Sequence, residues 1–535
     1  MKRPLGAQIS HMLKDRGVDT IFGIPGVHNV EMYRGIEEAG ITHVLARHEQ
    51  GAGFMADGYA RATGKPGVAY VITGPGLCNI MTPMGQAYSD SVPMLVISSC
   101  LDEVAAKKGQ LHQMKDQRAA AETVCDWSEE AKTAEAAYQL VDRAFGEFAS
   151  ARPRSKHIQL SIEVLGTLAD KFPATPVGRT LPELPVVERT AVTALVSVLA
   201  NSQKPLLVLG GGVIRNTEAK NIVARVLNRT NAAVVTTYAG RGLVDPDYPL
   251  DFGAFLAKEE MEETIGQADF VIVVGSELAE VDMWRDKLGS EGFRVRVDID
   301  QEILSSDTEA SARLCGDGVD FLMTLEEELI GFDDNSIETL WNKDEIARAK
   351  RGWRAETDAD RAGIVPIADA LREVVGDEVR IYSDMTQFAY VAKEIWPMNR
   401  PNLWHHPYGF GTLGYALPAA IGGKIGVGDA PVIAIAGDYG FQYTVQELGV
   451  AVELGLSLPI ILWDNGKLKE IEDCMVNSQI APNAVQALNP DFCKLAEAWG
   501  AHSAHPKTLV EMQDAVKAAF DASGPTLIYV TPDIL

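Results

Sequence analysis

The chain has 535 residues, enough for about three domains of ordinary size, and its 46% hydrophobic content suffices for several cores. A formal net charge of −26 argues against a phosphate-backbone binder and against docking on anionic membranes, since both need clustered Lys and Arg. No CxxC, no apolar signal core at Met1–Gln8 and no long uncharged apolar run are present, so a reduced, cytoplasmic chain without nucleic acid or membrane as partner is expected.

The first segment, residues 1–170, alternates helical patterns with short apolar strands. Thr20–Gly26 reads as a strand and its turn, Val68–Gly76 repeats that grammar, and Met94–Ser99 adds another strand. A Pro-rich stretch from Phe172 to Pro185 reads as a linker. The second segment, 187–335, carries strands at Pro205–Leu209, Ala233–Thr237, Phe270–Val274 and Val295–Ile299. A charged passage from Asp333 to Arg361 reads as an exposed helical connector. The third segment, 362–535, has strands at Val379–Tyr382, Val432–Ala436, Pro459–Trp463 and Thr526–Val530. Strands alternating with helices predict α/β architecture: three doubly wound parallel-sheet domains.

Asp438 and Asn465 stand 27 positions apart, each just after an apolar run that reads as a buried strand, with a helical pattern between them. That spacing sets a carboxylate and an amide oxygen at the carboxyl ends of neighbouring parallel strands, the edge where open α/β sheets bind ligands. One hard anion and one neutral oxygen suit Mg²⁺, which takes its remaining ligands from phosphates and water. The Gly437–Gly440 turn would present backbone N–H groups and a helix N-terminus to a diphosphate.

Glu49 heads a stretch whose Gly51, Ala52 and Gly53 permit close helix packing; by itself it reads first as dipole compensation at a helix start. Gly23-Ile24-Pro25-Gly26 and Gly74-Pro75-Gly76 are tight turns at strand ends, weak signals singly. Gly210-Gly211-Gly212 reads as a packing turn, because no GxGxxG is present. His28, which follows the Gly23–Gly26 turn, His112, in a Gly- and Lys-rich loop after a strand, His405 and His406 are candidate acids, each by itself more often structural. Cys78 is expected to be a buried, inert thiol.

Together these motifs resemble the thiamine diphosphate enzymes. Ile435–Phe441 and Ile461–Gly466 resemble the family's Gly-Asp-Gly…Asn-Asn motif, with Tyr439 in place of the second glycine and Asp464 in place of the first asparagine. Leu45–Arg61 resembles the segment whose glutamate, here Glu49, hydrogen-bonds N1′ of the aminopyrimidine. Gly409–Ala420 is similar to the segment that keeps the coenzyme bent, with Leu413 under the bend, and Asp384–Gln387 resembles a further diphosphate contact. Within the acetolactate synthase and 2-oxo acid decarboxylase branch, Gly23–His28, Gly109–His112 and Gly275–Leu278 look most like 5-guanidino-2-oxopentanoate (2-ketoarginine) decarboxylases.

The resemblance implies pyrimidine-binding (1–170), central (187–335) and diphosphate-binding (362–535) domains. It implies coenzyme contacts at Pro25, Gly26, Glu49, Pro75, Asn79, Thr386, Gln387, Gly411, Leu413, Gly437, Asp438, Tyr439, Gly440, Asn465 and Lys467, with Mg²⁺ on Asp438, Asn465 and Lys467. Catalytic roles fall to Glu49, His28, His112 and Gln113, and substrate contacts to Val27, His28, His112 and Glu470. Glu470 suits a guanidinium or is a solvated helix residue; the two readings stand level. The implied reaction is decarboxylation of a 2-oxo acid to an aldehyde, or a carboligation that joins two oxo acids. FAD is not expected, because Glu277-Leu278-Ala279-Glu280-Val281 stands where acetolactate synthases carry their Arg-Phe-Asp-Asp-Arg run. The expected assembly is a homodimer or homotetramer with the site between subunits. A coenzyme-binding regulatory protein and a nucleotide-dependent oxidoreductase are the other classes weighed.

Overall fold

The computed structural model describes residues 2–102, 109–174, 183–330 and 338–535. The expected linker over 172–185, the connector over 333–361 and the expected domain end at 335 lie partly outside the described residues. Two compact units result: one holds the described residues up to 174 with Ile381–Thr386 and His405–Leu535, the other holds Glu183–Arg380 with Gln387–Trp404.

The first unit contains two six-stranded sheets built on one plan. In the amino-terminal sheet the order is Thr42–Leu45, Thr20–Gly23, Gly67–Val71, Met94–Cys100, Lys156–Ser161, Ser128–Ala131, all parallel. Its second counterpart runs Trp404–His405, Arg380–Ser383, Val432–Gly437, Pro459–Trp463, Thr526–Val530, His502–Ala504. The second unit has a five-stranded parallel sheet: Ala233–Thr236, Pro205–Leu209, Phe270–Val274, Phe293–Asp298, Ala312–Cys315. Runs such as Phe270–Val274 are buried throughout because helices cover both faces of a parallel sheet, so every side chain needs an apolar neighbour.

In each sheet the chain lays down one strand, steps to one side, then returns to the other side. The order therefore reverses beside the first strand, and ligands favour the crevice at the carboxyl ends of such a switch point. In the amino-terminal sheet the loops there are Gly23–Gly26 and Gly74–Gly76; in its counterpart they begin at Asp384 and Asp438. The middle sheet's switch is closed by backbone: a Cβ on Gly210 would lie 2.2 Å from the Gly275 carbonyl oxygen, and Gly212 N–H donates to that same oxygen at 2.9 Å. The glycine triplet is a packing turn there.

Helix Glu49–Thr63 crosses helix Ala416–Val427 at very short range. A Cβ on Gly58 would fall 1.9 Å from the carbonyl oxygen of Ala419, and one on Gly422 would fall 1.9 Å from that of Met55. Tyr382 Oη donates to Gly58 O at 2.8 Å beside this crossing, and Tyr415 Oη donates to Asp57 at 2.7 Å. Residues from both sheets of the first unit thus share one apolar cluster that includes Phe54, Ile80, Tyr415 and Leu462.

Two expectations need correction. Helix Lys343–Asp360 exists, but it is not simply exposed: Trp353 is buried against Phe252 and Phe255, and Trp341 Nε1 donates to Pro205 O at 2.8 Å. The high charge of the passage hid two tryptophans that cover the five-stranded sheet. Cys78 is exposed rather than buried, since it lies in the first turn of helix Pro75–Ser89 at the open edge of the sheet. Among the described residues no helix is long and apolar enough to cross a membrane.

Candidate active site

At the amino-terminal sheet, Glu49 is the first residue of its helix and is buried. Asn79 Nδ2 donates to its Oε2 at 2.9 Å, and a Cβ on Gly76 would come within 3.3 Å of its Oε1. The carboxylate is therefore held on one oxygen and hemmed in at the other by a position that has no side chain. Gly74 adopts φ +69°, which a side chain rarely tolerates, and its N–H donates to Gln117 Oε1 at 2.9 Å; the turn then delivers Pro75 as the helix start.

His28 and His112 meet edge to face with ring centroids 4.9 Å apart. Burial first, and then the neighbouring His112, holds the His28 imidazole below the usual histidine range. His112 itself sits at φ +62°, uncommon for a residue with a side chain, and its carbonyl abuts Gly74. Gly26 N–H donates to Asn29 Oδ1 at 2.7 Å, which fixes the turn carrying Pro25 and leaves Val27 exposed beside His28. Gln113 closes its own turn by accepting from Gln110 N–H at 3.0 Å. His405 and His406 belong instead to the counterpart sheet, at its edge strand Trp404–His405, where both are buried and His406 Nδ1 lies 2.9 Å from Ser383 Oγ.

At the other sheet, Asp438 begins helix Asp438–Thr444 behind Gly437 and is almost fully buried. Burial first, with Asn489 opposing and Asp464 adding its charge, pushes the Asp438 carboxyl up to about 6. A Cβ on Gly440 would meet Asp384 Oδ2 at 2.5 Å and displace that tethered carboxylate, while one on Gly437 would press on Thr386 Oγ1 at 3.0 Å. Tyr439 between them is half-buried. Asp384 accepts from Gly414 N–H at 3.0 and 3.2 Å and from Met385 N–H at 2.9 Å, which tethers the loop of Gly411, at φ +65°, and Leu413. Gln387 opens helix Gln387–Ile395 in the second unit.

Asn465 Oδ1 accepts from Lys467 N–H at 3.3 Å, and Lys467 Nζ pairs with Glu472 at 2.7 Å. Glu470 lies in the first turn of helix Lys469–Asn477, which buries none of its residues. Asp464 accepts from Tyr529 Oη at 2.8 Å and from Gly466 N–H at 2.7 Å. Among the described residues no group of three or more His, Cys, Asp and Glu stands ready to hold a metal alone. Crowded carboxylates beside an amide oxygen and a glycine cradle fit a hard cation that completes its shell from a diphosphate.

Glu447 escaped the sequence reading. Fully buried, it accepts from Arg47 N–H at 3.2 and 3.1 Å with its two oxygens and so caps the entry to the Glu49 helix. Its only local signal was a carboxylate set among Val445, Leu448 and Val450. Burial pushes this carboxyl up to about 7 and Asp384 to about 6. Because the folded chain then binds protons more tightly than the unfolded one, these carboxyls cost stability as pH rises from about 4.5 to about 7. Glu447→Gln is expected to flatten that part of the stability–pH curve, checked by urea unfolding at each pH; an unchanged slope counts against the assignment.

Residues 3–120 match the family described as thiamine pyrophosphate enzyme, N-terminal TPP binding domain; residues 192–325 match the central domain and 384–530 the C-terminal TPP binding domain. The chain is 41% identical over 527 residues to a probable 2-ketoarginine decarboxylase, AruI, of Pseudomonas aeruginosa, covering 98% of this chain and 93% of the relative. It is 28% identical over 546 residues to the acetolactate synthase isozyme 2 large subunit of Escherichia coli, covering 99% and 96%. The mitochondrial acetolactate synthase catalytic subunit of Saccharomyces cerevisiae is 26% identical over 562 residues, covering 99% of this chain and 80% of that protein.

Proposed function

For a chain that belongs to the thiamine pyrophosphate enzymes, in their acetolactate synthase and 2-oxo acid decarboxylase branch, we propose non-oxidative decarboxylation of a cationic 2-oxo acid to an aldehyde, with 5-guanidino-2-oxopentanoate as the first candidate. The observation that carries this reading is the likeness to the probable 2-ketoarginine decarboxylase, at 41% over nearly the whole chain, against 28% for the Escherichia coli acetolactate synthase.

When bound, thiamine diphosphate supplies the nucleophilic carbon and the electron sink that loss of CO₂ requires. Every other task belongs to the protein. Glu49, oriented by Asn79, holds a proton at N1′ of the aminopyrimidine. Pro25, Gly26 and Pro75 would contact the pyrimidine half, and Gly411 and Leu413 would support the coenzyme from the other sheet. The Gly437–Gly440 turn would present backbone N–H groups to the diphosphate, with the Tyr439 N–H shared with the Asp438 carboxylate and Thr386 and Gln387 as further donors. Asp438 and Asn465 would hold Mg²⁺ through side-chain oxygens and Lys467 through its backbone carbonyl, since its ammonium group is paired with Glu472.

His28 and His112 touch each other on the loops that carry Val27 and Gln113. An imidazole kept below its usual range stays uncharged at neutral pH, so His28 adds no repulsion against a cationic side chain while still able to exchange a proton. Glu470 is the carboxylate assigned to the guanidinium. No redox cofactor is needed, since CO₂ leaves without net oxidation, and FAD is outside the reading. We place the enzyme in the cytoplasm as a homodimer or homotetramer.

The test is product identification by NMR after incubation with thiamine diphosphate, Mg²⁺ and either 5-guanidino-2-oxopentanoate or pyruvate. Guanidinobutanal from the first supports the decarboxylase; acetolactate from pyruvate moves the chain to the carboligase reading. In the same assay Glu470→Gln is expected to raise KM for the cationic substrate about tenfold and to spare neutral ones, in line with loss of a charge-assisted pair. Equal effects on both substrates would remove Glu470 from the pocket.

A further inference from the structure

Two carboxylates adjoin each other at the cation site, and mutual repulsion should spoil both. Asp464 stands where the family motif has an asparagine, so this chain carries a second negative charge beside Asp438. The side chain between them is Asn489, whose Nδ2 donates to Asp438 Oδ2 at 2.8 Å and to Asp464 Oδ1 at 3.0 Å. Gln442 Nε2 donates to Asn489 Oδ1 at 3.2 Å and to the Asp438 carbonyl at 3.1 Å. That donation sets the amide's orientation: its oxygen is engaged, so both N–H groups face the acids.

The consequences for the two acids differ. Asp464 has both oxygens engaged, Oδ1 by Asn489 and the Gly466 N–H and Oδ2 by the Tyr529 hydroxyl. Asp438 gives Oδ2 to the amide, and its carboxylate also meets the Tyr439 N–H and the Asp464 side chain. Asn489 reaches this place on a mostly exposed segment secured at Val485, whose carbonyl accepts from Leu468 N–H at 2.8 Å, and at Gln486, which bridges to Lys467.

We propose that Asn489 is the positioning residue of the cation site: its amide bridges Asp438 and Asp464, fixes the orientation of the Asp438 carboxylate and keeps Asp464 out of the coordination shell. This rests on the reading that Asp438 holds the coenzyme's cation. Partners that orient a ligating carboxylate commonly govern metal affinity as strongly as the ligands' own surroundings do. In a chain with Asn at position 464 the neighbouring amide would donate to Asp438 directly, and the bridge would matter less.

The experiment is a Mn²⁺ titration followed by EPR of the free ion, with thiamine diphosphate present and no substrate, so the choice of oxo acid does not enter. Asn489→Ala is expected to weaken Mn²⁺ binding about 10–100-fold. The double variant Asp464→Asn with Asn489→Ala should recover most of that loss, which a merely structural defect would not do. Thermal unfolding checks that each variant is folded; if the alanine variant is not, Asn489→Asp, close in shape and unable to bridge two carboxylates, carries the same comparison. Wild-type affinity in Asn489→Ala, or no recovery in the double variant, overturns the proposal while leaving the cation reading intact. Failure of the wild-type chain to bind Mn²⁺ overturns both.

Discussion

Replacing Glu49 with Gln is expected to lower kcat about 10²–10⁴-fold, the usual worth of a positioned acid or base, with little change in unfolding temperature. The amide keeps the size of the carboxyl and can still meet Asn79, so the buried pocket stays filled. It cannot hold or release a proton at N1′, and that is the task assigned to it. Coenzyme binding, read by tryptophan fluorescence, should persist, which separates this variant from Asp438→Ala, where the cation is lost. Mixing the two inactive variants under subunit exchange adds a second readout. If each site takes Glu49 from one subunit and Asp438 from another, a mixed dimer rebuilds one intact site and activity returns. A mixture that stays silent would argue that each subunit completes its own site.

Gly58→Val is expected to lower the first unfolding transition by about 5 °C or more, corresponding to overpacking at the upper end of about 1–3 kcal/mol. The clash is with backbone on the facing helix, 1.9 Å from the added Cβ, so no rotamer change relieves it. Gly422 offers the same contact from the other side, and valine there should behave alike. Gly352 makes the contrast: it lies in helix Lys343–Asp360 with nothing within 4 Å of its would-be Cβ, and alanine there should be neutral or stabilise by about 0.5–1 kcal/mol. Differential scanning calorimetry at one scan rate compares the three; similar losses at Gly58 and Gly352 would refute the packing argument.

The central strands were legible because they obey a local rule. Pro205–Leu209, Phe270–Val274, Pro459–Trp463 and Thr526–Val530 are short uninterrupted apolar runs, and the structure has strands over those same spans. Short edge strands such as Ser128–Ala131 and His502–Ala504 have no such run. Lys156–Ser161 was hidden for another reason: it is buried yet polar, and its satisfaction comes from far away. His157 bonds Ser98 and Ser128 through its two ring nitrogens, and Lys156 Nζ pairs with Glu147 at 2.8 Å. Asp438 and Asn465 stand out by their spacing and turn residues, and Glu49 by the resemblance of its segment to the family's. Glu447 and Asn489 do not, because each acquires its meaning from a partner 400 or 51 positions distant.

That longest separation has a bearing on how the molecule comes into being. The carboxylate that caps the Glu49 helix is synthesised 400 residues after Arg47, the backbone it binds. At ribosomal speeds of roughly 5–20 residues per second, the amino-terminal sheet waits about 20–80 s for that cap. During this interval the helix entry must be satisfied by water, and the glycine-lined face that later receives Ala419 is bare to whatever else is in the cell. A newborn chain of this kind has good reason to need shelter in its first minute, and truncated chains that end before Glu447 should be poor candidates for independent folding.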